Sequence, residues 1–192
     1  FSLRYLWFNF RVYFLEPARW SGRFPFVHDI TSAPLPVGHA GVNHPFGVLT
    51  NIPLVWLALA TPLVWRGRLG EPRCALRWFG VTLVLLFGIC ALTLGLFFAA
   101  CLRYEVDFLP ALVLLAVLGI LGLERALAGR LVWRRGIRWG WGLLLAFSVS
   151  FNLFAMFGLS SEHYMYRGVI SISKGQRDEA IVQFKKALQL QP

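Results

Sequence analysis

The chain has 192 residues, of which 57% are hydrophobic and 15% charged, with a formal net charge of +10. An ordinary soluble domain is about 45–50% apolar and about 25% charged, so this balance argues against a water-soluble globule. The 19 Lys and Arg, against 9 Asp and Glu, lie mostly in short stretches between apolar blocks. That distribution leaves little of the basic polar surface that nucleic-acid binding needs, and it reads as membrane topology.

The opening stretch, FSLRYLWFNFRVYFLEP, is aromatic and interrupted by Arg4 and Arg11. It predicts a helix lying in the membrane interface and stopping near Pro17. The following RFPFVHDITSAPLPVGHAGVNHPFG carries prolines at 25, 34, 36 and 45 and no helical period. It predicts an extracytoplasmic loop, so residues 1–46 form an interfacial segment plus loop.

Residues 47–160 hold four blocks that meet the criterion of about 17–25 apolar residues for a bilayer span. They run over about 47–65, 78–101, 108–123 and 139–159. Pro53 and Pro62 predict kinks in the first. Trp65, Trp78, Trp139 and Trp141 stand at block ends, where an aromatic belt forms because the ring is apolar and its N–H seeks water. Cys74, Cys90 and Cys101 show no C-x-x-C spacing and read as small apolar packing residues.

Loop charges give a direction. Residues 66–77 carry four Arg and 124–138 carry five, whereas Leu102–Asp107 carries one Arg and two acids. The positive-inside rule places the two Arg-rich loops in the cytoplasm. The N-terminal region, the LRYEVD loop and the C-terminal tail then lie outside, as in a bacterial inner (plasma) membrane protein.

That outer face collects the ionisable residues. Arg103, Glu105 and Asp107 lie between two uncharged blocks, and ionisable groups near the bilayer are costly, hence paired or functional. They are the catalytic candidates. His28, Asp29, His39 and His44 of the proline-rich loop are the substrate-binding candidates. Together they suit general-base or metal-assisted transfer onto a lipid-borne substrate. The ordinary alternatives are a solvated turn with an Arg–acid pair and loop-capping histidines. No spacing matches a metal motif such as H-E-x-x-H. No metal ligand or cofactor is therefore assigned, although an enzymatic role would leave room for a divalent metal.

From Ser161 the chain turns polar with an apolar face: SEHYMYRGVISISKGQRDEAIVQFKKALQLQP. Tyr164, Gly168, Gly175, Glu179, Ala180, Phe184, Ala187, Leu188 and Pro192 stand at the positions of one tetratricopeptide repeat, which residues 161–192 resemble. Gly175 is placed to end a first helix in a left-handed conformation. Gly168 and Ala180 are small where two helices approach, and Ile181, Phe184 and Leu188 share a face of the second helix. Arg167 and Ser171 depart from the family pattern, as in a divergent first repeat. One repeat cannot bury its apolar face and about three are needed. The expectation is therefore a portion of a longer protein, with material missing at both ends. The resemblance implies a protein or peptide partner.

A second resemblance covers about residues 1–160. The arrangement YLWFNFRVYFLEP…RFPF…HPFGVLTNIP…RYEVDFLPAL is similar to the C-terminal membrane half of bacterial multi-pass proteins related to C-type membrane glycosyltransferases. Those use polyprenyl-phosphate sugar donors. Their acidic catalytic motif lies in a first outer loop that is not among these residues, so no catalytic residue is carried over. The resemblance agrees with the outer placement of Arg103, Glu105 and Asp107; in a glycosyltransferase-like enzyme Arg103 would bind a phosphate or pyrophosphate through its fixed fork of donors, and Glu105 or Asp107 would position the acceptor or a metal.

The sequence thus predicts an all-α polytopic membrane protein of about four transmembrane helices with a C-terminal repeat hairpin. Two functions stay open. One is glycosyltransferase-like action on a lipid-linked sugar at the outer face. The other is a non-enzymatic, membrane-anchored scaffold for protein interaction.

Overall fold

The computed structural model describes residues 1–22, 26–28, 30, 34–65 and 71–190. Among the sequence-derived expectations, Asp29, Arg66, Arg68 and Pro192 lie outside the described residues. The chain is mostly helical and divides into two compact units, Phe1–Pro17 with Ser32–Ser148, and Ala18–Thr31 with Val149–Pro192.

In the first unit, α1 (Leu3–Phe10) runs into a π-helical turn, Arg11–Leu15. The wider turn is closed by the Glu16 N–H donating to the Arg11 carbonyl at 2.8 Å. Widening a helix by one residue per turn rotates its faces. Here it lets three consecutive residues, Val12, Tyr13 and Phe14, all face the core. Glu16 also pairs with Arg11 at 3.0 Å. The expected N-terminal helix therefore ends at Leu15, two residues before Pro17, and it keeps Leu3, Trp7 and Phe10 exposed along one side.

The first apolar block folds as a short α2 (Val48–Asn51) and a 3-10 helix over Pro53–Trp65. At about 2.0 Å rise per residue, its 13 residues reach about 26 Å. Three longer helices follow: α3 (Glu71–Gly95), α4 (Leu102–Ala126) and α5 (Leu131–Ser173), the last contributing to both units. Each of these three is long and apolar enough to cross a membrane. No more than 44% of the most apolar stretch of any of them is buried. Leu85 and Ile89 of α3 and Leu121 of α4 face outward, more than half exposed. Water-soluble folds rarely leave such continuous apolar surface, whereas a bilayer solvates it.

The largest packing interface in this unit joins α4 to the 3-10 helix. Two glycines make it close. A Cβ on Gly119 would fall on the Leu57 carbonyl oxygen, and one on Gly122 would stand 2.9 Å from the Val64 nitrogen. The Thr61 hydroxyl lies 2.8 Å from the Leu115 carbonyl across the same contact. Below it, Val64, Leu83, Ala111, Leu115 and Leu118 form a buried cluster.

The expected boundaries differ on both sides of the α3–α4 connection. The second block does not stay helical to Cys101: α3 stops at Gly95, and Ala99–Cys101 form a strand that pairs in parallel with Gly41–Asn43. The third begins earlier, at Leu102, so the charged stretch expected as a connecting loop is the first two turns of α4. Residues Arg125–Arg138 flank a connection of only a few residues. There Glu124 on α4 accepts two hydrogen bonds from Arg138 on α5, both 2.9 Å.

In the second unit, strands Arg19–Trp20 and Val27–His28 pair antiparallel. Trp20 and Phe26 meet Phe151 and Phe154 of α5 in ring contacts. The chain ends in a helical hairpin, the last part of α5 against α6 (Arg177–Leu190). Gly175 has φ +76°. Its N–H donates to the Ile172 carbonyl and the Gln176 N–H to the Ser171 carbonyl, each at 2.9 Å. This is the Schellman closure of a helix C-terminus, which needs the left-handed region that glycine enters freely. The Phe184 ring packs so closely on Gly168 that a Cβ there would stand 2.6 Å from it. Ala180 and Ala187 are buried with Phe184 between them, whereas Ile181 and Leu188 are more than half exposed. The buried face of α6 is thus the small-residue stripe, one residue round from the expected Ile181–Leu188 face.

Candidate functional site

The polar features of the first unit gather where α1, the Gly41–Asn43 strand and the α3–α4 connection meet. Asn9 sits on the inward side of α1 and is fully buried. Its amide nitrogen lies 3.0, 3.2 and 2.7 Å from the carbonyls of Leu94, Gly95 and Phe97. The last carbonyls of a helix have no partner inside it, and Asn9 supplies one from 85 residues away. This is why α3 can end in an apolar environment short of Cys101.

Asn9 also fixes His39. The ring Nε2 lies 3.0 Å from Asn9 Oδ1, and the Gly41 N–H donates to Nδ1 at 3.1 Å. With Nδ1 accepting, the neutral ring carries its proton on Nε2 and donates it to Asn9. Tyr5 and Phe8 cover the ring edge-on. Burial holds the His39 pKa below its ordinary value. His39 is therefore a positioning group for the loop, and its two nitrogens are already used.

Glu105 is similarly occupied. It is 4% exposed, and its Oε1 accepts from the Phe46 N–H at 2.9 Å. The nearby Tyr13 hydroxyl, also buried, accepts from the Cys101 N–H at 3.0 Å. Burial pushes the Tyr13 phenol well above its ordinary value. These two contacts tie the π-helical turn and the His44–Phe46 segment to the start of α4.

Helical geometry separates the three catalytic candidates. Arg103 and Asp107 are four residues apart and share one exposed side of α4, while Glu105 faces inward. No ion pair joins Arg103 to Asp107 among the described residues. Arg103 instead lies over the neighbouring Tyr104 ring, 5.6 Å from its centroid. The histidines are divided as well. His28 belongs to the second unit, with Nε2 2.9 Å from the Ser21 hydroxyl. His44 lies in the first, at a turn with φ +53° before Pro45. Among the described residues, no group of three or more His, Cys, Asp or Glu is placed to hold a metal ion.

Asn9 and Tyr13 were not singled out by the sequence. A signal existed for Asn9: it is the lone amide within the aromatic run LWFNFRVYF, and an uncharged polar residue on an apolar face must find partners.

Beside this junction, a cavity of about 480 Å³ opens between α1, the 3-10 helix and α3. Leu6, Phe10 and Phe14 line one wall, Trp56 and Leu59 a second, and Phe87 and Leu92 a third. Its size falls in the range of about 300–1,000 Å³ typical of small-molecule sites, but it lacks the convergent polar groups such sites carry. Leu112, the α4 residue on its wall, lies on the Glu105 side of that helix, away from Arg103 and Asp107.

The chain matches no family model, no curated protein and no solved structure with which it was compared.

Proposed function

We propose that this chain is the membrane portion of a multi-pass protein that recruits a protein or peptide partner through a tetratricopeptide-type hairpin at its C-terminus. The observation that carries this reading is the packing of the hairpin. Gly168 under Phe184, the left-handed Gly175, and the buried Ala180 and Ala187 are the close-approach and turn positions of the repeat. The exposed Ile181, Val182 and Leu188 form an outward apolar stripe, as stacking repeats require.

The topology that goes with it has four crossings. The 3-10 helix counts as the first, supported by its reach and by Trp65 packing on Gly80 of α3. Gly80 is fifteen residues before the α3 C-terminus, or about 22 Å along the axis at 1.5 Å per residue. The Arg-rich ends face the cytoplasm. The N-terminal region, the start of α4 and the hairpin are outside, in a bacterial inner membrane.

The test is site-specific photocrosslinking from the hairpin in cells. Ile181→Asp combined with Leu188→Asp should abolish the partner adduct seen with the otherwise unchanged chain, while membrane insertion persists. An undiminished adduct removes the recruiting role.

A second reading adds chemistry: glycosyltransferase-like transfer from a polyprenyl-phosphate sugar at the outer face. It is favoured by Arg103 and Asp107 sharing an exposed side at the start of a spanning helix. A guanidinium suits phosphate there through its fixed fork of donors. Arg103→Ala and Asp107→Asn should then each abolish sugar transfer without loss of insertion, and wild-type transfer in both would remove them from the mechanism.

A further inference from the structure

The apolar cavity has no role in either reading, and its surroundings say what fills it. Its rim residues Trp56, Leu59 and Leu92 are each more than half exposed. Leu92 belongs to α3, whose length and apolarity suit a bilayer span, so the opening faces hydrocarbon. Water gains nothing by entering, since a buried water needs about two to four polar partners. An empty slot forfeits the dispersion contacts of its walls. Bilayer lipid is present in vast excess, so even modest affinity fills the site by mass action.

We propose that the groove between α1, the 3-10 helix and α3 is a lateral lipid site that seats one acyl chain of a bilayer phospholipid. The acyl chain would fill the apolar space beside the direct contact that Leu6 and Asn9 make with the end of α3.

The test uses the full chain in vesicles of phosphatidylcholine and phosphatidylglycerol. A phosphatidylglycerol with a photoreactive group midway along one acyl chain is added, and its adducts are mapped by mass spectrometry. Adducts should concentrate on Phe10, Phe87 and Leu92 rather than on the outward Leu85, Ile89 and Leu121. Ala91→Phe should reduce them several-fold by filling the groove, and Ala58→Phe does the same from another wall should the first variant not fold. Adducts spread evenly over the outer faces overturn the proposal, as does a groove signal unchanged by folded filling variants. Displacement of the probe by a trace of polyprenyl phosphate overturns the phospholipid identity.

Discussion

Asn9 and His39 hold each other in a single orientation, Oδ1 to Nε2 at 3.0 Å, although 30 residues separate them. The amide nitrogen of the same Asn9 closes the end of α3. One side chain therefore links the N-terminal helix, the proline-rich loop and a helix long and apolar enough to cross a membrane.

Protonation of His39 should loosen this junction. A proton on Nδ1 would face the Gly41 N–H that now donates to it. The folded-state pKa is depressed, because burial disfavours the charged ring. The neutral ring's contribution to stability is then fully present above the ordinary imidazole value of about 6.5 and is lost as pH falls from there through the folded pKa. Melting of the detergent-solubilised chain should fall across that window in the wild type, and less steeply in His39→Gln. Equal slopes would remove His39 as the cause.

Replacing Asn9 by Leu keeps the branched outline of the side chain and removes the cap. The carbonyls of Gly95 and Phe97 would lose this donor, while that of Leu94 keeps the Phe97 N–H at 3.2 Å, at about 1–3 kcal/mol for each buried group left unpaired. Hydrogen exchange should then quicken selectively around residues 94–101 and in the paired strand Gly41–Asn43. Protection equal to wild type there would show that the cap is dispensable.

Gly119→Ala tests the contact between α4 and the 3-10 helix. The added methyl must displace the Leu57 carbonyl, and overpacking of this kind costs about 1–3 kcal/mol. The same change at Gly88, where nothing lies within 4 Å, should leave melting unchanged. Equal effects at both positions would contradict the close approach.

Glu105 separates structure from chemistry. Glu105→Ala should destabilise the start of α4 by orphaning the Phe46 N–H, about 1–3 kcal/mol. Glu105→Gln keeps an acceptor oxygen and should restore stability. If the Gln variant is stable yet loses a function that the wild type performs, the carboxylate has a role beyond anchoring Phe46.

Much of the architecture was legible because its signals are local. Apolar length located α3, α4 and α5, and Gly175 announced the turn between α5 and α6. Helix ends were less legible. The stop at Gly95 depends on Asn9, which no reading of residues 78–101 contains. In α6, two neighbouring apolar stripes share the helical period, and hydrophobicity alone favoured Ile181 and Leu188. Close packing against Gly168 instead selects the smaller Ala180 and Ala187. At RYEVD the charges suggested a turn with three groups together. As a helix, the same five residues send Glu105 inward and leave Arg103 and Asp107 outside.

The sidedness of the chain is open to single-cysteine labelling. With Cys74, Cys90 and Cys101 replaced by Ala, one cysteine is placed at Asn43, Ala128 or Lys174, all exposed, and intact cells receive a membrane-impermeant maleimide. Positions 43 and 174 should be labelled, and position 128 protected until the membrane is opened. Labelling at 128 alone, or of 43 and 174 from opposite sides, would contradict it.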